Sequence, residues 1–93
     1  MLPTIGVGWY TEENWTRIKA TAVDPERFES TFGEWTAMAE GALADLKGSL
    51  YPTRVHIDAD EFASWCAEHG KENSAATRAE FVSGKVRERD AND

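Results

Sequence analysis

The segment VHIDADEFASWCAEHG, residues 55–70, holds both histidines, the single cysteine and four acids of the chain. Imidazole, thiolate and carboxylate are the ligand types of a zinc site, which needs about four of them within roughly 2.0–2.3 Å of the metal. Cys66 and His69 are three apart and would share a helical face, as half of such a site. The other candidates are His56, Asp58 and Asp60. If residues 59–69 are helical at about 1.5 Å per residue, Asp58 lies about 16 Å from His69 and about 12 Å from Cys66 along the axis. Within one chain these groups cannot surround one ion.

The helical period gives the same residues a simpler use. Phe62, Trp65, Cys66 and His69 follow an i, i+3, i+4, i+7 pattern, the buried stripe of an amphipathic helix, where a free cysteine packs as a small hydrophobe. Asp58 can cap that helix, with Asp60 and Glu61 in its first turn against the positive end of the dipole. A Cys66–His69 nucleophile pair would lack an orienting third group. An EF-hand is excluded because Ala63 and His69 stand where it needs glycine and glutamate. The G-x-S-x-G, Walker and H-E-x-x-H motifs are absent from the chain. No catalytic residue, metal or cofactor is therefore expected within a single chain.

The elements that must position these residues read as β-α-α-β-α-α. In TIGVGWY, Ile5, Val7 and Trp9 alternate with Thr4, Gly6 and Gly8, the period of a half-buried strand. Its two glycines suggest a bulge or a close backbone approach. Thr11 is an N-cap ahead of a helix through about Thr21 that buries Trp15 and Ile18. Asp24-Pro25 reads as a cap with proline at the first helical position. From there Phe28, Phe32, Trp35, Met38, Ala39, Ala42, Leu43 and Leu46 predict one continuous long helix, ended near Gly48. TRVHID supplies a second strand, with Val55 and Ile57 on one face and Arg54 and His56 on the other. A third helix spans about Ala59–His69 and stops at Gly70. A fourth starts near Ala75, with Arg78, Phe81, Val82 and Val86 on one side. Residues 90–93 should fray.

The expected fold class is α+β and mostly helical, one domain over residues 1–93, with a two-stranded sheet covered by helices. A hairpin of the first two helices would return the second strand antiparallel to the first. A two-stranded ribbon is marginal alone, so pairing of strands between two copies, giving a homodimer, is a second way to complete it.

A net charge of −7 disfavours direct binding to nucleic acid or anionic membrane, which needs clustered cations. Lys85, Arg87 and Arg89 suit the negative end of a helix instead. One cysteine forms no internal disulfide, and neither a signal peptide nor a membrane-length apolar run is legible, so a cytoplasmic protein is expected. Trp9 and Tyr10, where strand gives way to helix, and Arg54 and His56, on the strand face opposite Val55 and Ile57, are the candidate contact residues.

The stretches GWYTEENW, DPERFESTFGEWTAMAE and VHIDADEFASWC, with ATRAEF beyond them, resemble a family of small bacterial hypothetical proteins. The resemblance spans nearly the whole chain and implies a compact bacterial cytoplasmic domain, with no activity or site residue to carry over. The expected function is a non-enzymatic protein-interaction domain that self-associates. Two alternatives are a small-molecule or metal-dependent enzyme whose His56, Cys66 and His69 converge across a dimer interface, and an acidic inhibitor of a nucleic-acid-binding protein.

Overall fold

Helix starts and stops follow side chains that take up backbone groups left over at helix ends. The computed structural model describes residues 3–92, with side chains as far as Arg89. Thr11 Oγ1 accepts from the Asn14 amide at 3.2 Å and opens α1, Glu12–Thr21. Asp58 Oδ2 accepts from the Glu61 amide at 2.9 Å and opens α3, Ala59–His69, which ends at Gly70 with φ 62°. There the left-handed conformation is what glycine supplies without steric cost. The last helix, α4, spans Ala75–Asn92, so its backbone is helical through most of the tail expected to fray; Asp93 lies outside the described residues.

The second helix differs from expectation. Pro25–Arg27 forms only a 3-10 turn, and α2 is Phe32–Leu46, capped by Thr31 Oγ1 on the Glu34 amide at 3.1 Å. The Asp24 carboxylate does not cap its own turn. It accepts from the Ala75 amide at 2.9 Å and from Arg78 Nη1 at 3.1 Å, serving the start of α4 instead. The periodic stripe is correspondingly narrower: Trp35, Ala39 and Leu43 are buried, whereas Met38 is 47% exposed.

Two strands, β1 (Thr4–Trp9) and β2 (Tyr51–His56), form the sheet. They run parallel, in register from Thr4 beside Tyr51 to Trp9 beside His56, which corrects the expected antiparallel pairing. An antiparallel return requires α2 to fold straight back on α1. Instead the linker between them is tied to the start of α4, by Asp24 and by a Val23 amide donating to the Asn73 carbonyl at 3.0 Å. Parallel strands need such a long crossover.

The core has two parts. Ile18, Val55, Ile57, Ala59, Phe62, Phe81 and Val82 are buried between α1, β2, α3 and α4. A second cluster joins Trp15, Trp35 and Ala39, with Trp9, Tyr10, Phe28 and Phe32 packed against it. No helix among the described residues is long and apolar enough to cross a membrane.

Candidate interaction site

In a parallel ladder only alternate residues turn their backbone groups to the partner strand. The Tyr51 amide donates to the Pro3 carbonyl at 2.8 Å, and the Ile57 amide to the Trp9 carbonyl at 2.9 Å. Odd-numbered residues of β1 therefore bond to β2, and the amides and carbonyls of Thr4, Gly6 and Gly8 point out along the opposite edge. Among the described residues no third strand pairs there.

Side-chain directions follow from the same alternation. A Cβ on Gly6 would lie 2.6 Å from Val86 Cγ2 and 2.8 Å from Val82 Cγ1, and one on Gly8 3.0 Å from Ile57 Cδ1. The even positions of β1 thus face α4, and the glycines let that helix pack close beneath the strand. Ile5, Val7 and Trp9 face the other way, where the Trp9 ring meets Trp35 edge-on at 5.3 Å.

The register sets Arg54 beside Val7 and His56 beside Trp9 on that second face. The Arg54 guanidinium lies 4.5 Å from the centre of the Trp9 ring, a cation–π contact, and both Arg54 and His56 are exposed. Three of the four candidate residues therefore share one surface. Tyr10 does not join them. It turns inward, edge-on to Trp35 at 5.2 Å, and burial raises its phenol pKa against the smaller opposing effect of Arg78.

Tyr10 and Trp35 instead close one end of a groove of about 770 Å³ along the free edge of β1. Ala79, Val82, Ser83 and Val86 of α4 form its wall, and among the described residues Arg78 and Arg87 are its only charged lining residues. Arg78 is already engaged: Asp24 Oδ1 and Asn73 Oδ1 accept from Nη1 at 3.1 and 2.8 Å, and its guanidinium covers the Phe28 ring at 4.6 Å. Desolvation pushes the Asp24 carboxyl pKa up, but the Ala75 amide and Arg78 outweigh it and hold that carboxyl below its ordinary value. Arg87 is exposed and has no ion-pair partner among the described residues. Among the described residues the groove thus offers a cation without an ion-pair partner and no carboxylate, in a chain of net charge −7.

The two sheet edges are not equivalent. On β2 the outward positions are Pro52, Arg54 and His56: the proline lacks a donor, and the arginine adds charge, both devices that discourage strand addition. The β1 edge carries neutral backbone only. Sequence reasoning missed this groove, although the Gly6-x-Gly8 spacing signalled the close approach that forms it.

The histidines and cysteine are dispersed. His56 ends β2, and His69 is exposed, stacked on Trp65 at 4.3 Å with Nδ1 2.8 Å from the Trp65 carbonyl, outside the buried stripe expected for it. Cys66 is half-buried, and desolvation raises its thiol pKa, opposite to the depressed value that marks a reactive thiol. Among the described residues no three His, Cys, Asp or Glu side chains gather where they could hold a metal ion.

Comparison with protein-family models, curated proteins and solved structures finds no match to this chain.

Proposed function

We propose that the chain is a non-catalytic protein-interaction domain that works through its sheet and self-associates. The observation that carries this reading is a two-stranded parallel sheet with an unguarded edge on β1 and an exposed Arg54 stacked on Trp9 on one face. Arginine and tryptophan are the residue types most often found to dominate interface energy. A second copy suits that face: Arg54, with His56 beside it, meets a chain carrying 17 acidic against 10 basic residues. Such complementary charge speeds association and fixes orientation. A lone Cys66 asks for no oxidising environment, so the cytoplasm is the compartment proposed, with protein rather than nucleic acid or membrane as the partner.

Light scattering on purified protein tests the self-association. The expected mass is that of a dimer of the 10.4 kDa chain, and Arg54→Glu is expected to shift it to monomer without changing the circular dichroism spectrum. A strict monomer for the unaltered chain at millimolar concentration would remove self-association.

A further inference from the structure

We propose that the free edge of β1 takes up an extended, carboxylate-bearing segment of a partner protein, added as a third strand over α4. This rests on the interaction reading above and names its site and the chemistry of its partner. Between Thr4 and Gly8 the edge presents three outward residues, over about 13 Å at roughly 3.3 Å per residue, room for about five residues of an added strand. Their unpaired amides and carbonyls supply main-chain bonds, and the flanking groove supplies side-chain selection, the two components of strand addition.

The wall of the groove says what that segment carries. Side chains that point down from the added strand meet Ala79, Val82 and Val86, so they must be apolar or small. Val86 lies under Gly6, which puts Arg87 beside the Thr4 half of the edge, whereas Arg78 is held by Asp24 near Tyr10. A carboxylate on the segment can form a charge-assisted pair with Arg87, and among the described residues no acid lines the groove to compete for it.

The same geometry disfavours a second copy as the occupant. Strands in a sheet lie about 4.8 Å apart, whereas packed helices need about 8–10 Å between axes. Because α4 packs chiefly beneath β1 and also walls the groove, a two-fold pairing of β1 with its own copy would force two α4 helices into the space of one. Residues 3–10, PTIGVGWY, also bring no carboxylate to Arg87.

The probe is a fluorescent acetyl-Glu-Thr-Val-Thr-Val-amide, which as a third parallel strand sets Glu at the Thr4 end beside Arg87 and both Val on the same face over α4. It is titrated against the full chain and compared with the same peptide carrying Lys for Glu. Saturable binding of the Glu peptide is expected, about tenfold tighter than the Lys peptide, the size of one charge-assisted hydrogen bond, with amide shifts at Gly6 and Gly8. Arg87→Glu, an exposed substitution, is expected to invert the preference. Equal binding of both peptides by both proteins, or shifts confined to Arg54 and His56, would overturn the assignment while leaving an interaction domain in place. Protection of the Gly6 and Gly8 amides that rises with protein concentration would put a second copy on the edge and equally overturn it. No peptide binding and no self-association together would remove the broader reading as well.

Discussion

Phe62→Ala is expected to destabilise the fold by about 3–5 kcal/mol, the usual cost of truncating a buried aromatic to alanine. Phe62 is 2% exposed and holds α3 against α4, edge-on to Phe81 at 5.3 Å and stacked near Trp65 at 6.4 Å. The alanine loses the transfer energy of the ring and leaves a cavity where two helices meet. A chain of this size has a total stability of only about 5–14 kcal/mol, at 0.05–0.15 kcal/mol per residue. The substitution therefore consumes a large share of it. Urea denaturation followed by tryptophan fluorescence measures the loss; a cost below about 1 kcal/mol would mean that Phe62 is not buried as described.

Gly6→Val is the second large effect. The glycine has no positive φ, so its requirement comes from space rather than backbone conformation. A Cβ there would stand 2.6 Å from Val86 and 2.8 Å from Val82. Those neighbours are β-branched side chains with little rotamer freedom in a helix, so α4 itself has to move. Overpacking of this kind costs about 1–3 kcal/mol, and here the gain in strand propensity offsets only part of it. The displaced helix would also deform the wall of the β1 groove. Trimming the obstruction tests the cause: Val86→Ala in the Gly6→Val background is expected to restore part of the lost stability. A double mutant no more stable than the sum of the two single changes would contradict the steric account.

Much of the fold was legible because the chain writes its helix ends locally. Thr11, Asp58 and Gly70 act within three or four residues of the ends they set, so sequence alone places α1 and α3. Asp24 uses the same chemistry across the molecule. Its carboxylate satisfies the amide of Ala75 and the guanidinium of Arg78, partners whose proximity no local pattern reveals. The spacing from Phe28 to Phe32 and Trp35 imitates a helical stripe, yet Phe28 belongs to the linker and joins the aromatic cluster from outside α2. The strand direction failed for the same reason, since anchoring of that linker decides how α2 returns to the sheet.

The candidate site was legible in composition more than in arrangement. Alternation placed Arg54 and His56 on one strand face, and register then brought Trp9 beneath Arg54. Adjacency in sequence suggested that Tyr10 would accompany Trp9, but at the end of β1 the chain turns and Tyr10 enters the groove. The dispersal of His56, Cys66 and His69 follows from α3 itself, since a helix beginning at Ala59 carries Cys66 and His69 away from the end of β2.

Amide hydrogen exchange along β1 tests the central claim, that one edge of this sheet is built to be filled by another protein. In the free protein the amides of Ile5, Val7 and Trp9 should exchange slowly. Those of Thr4, Gly6 and Gly8 should exchange fast and become protected when the Glu peptide saturates the groove. Slow exchange at Gly6 and Gly8 in the free, dilute protein would show the edge already closed and contradict the account.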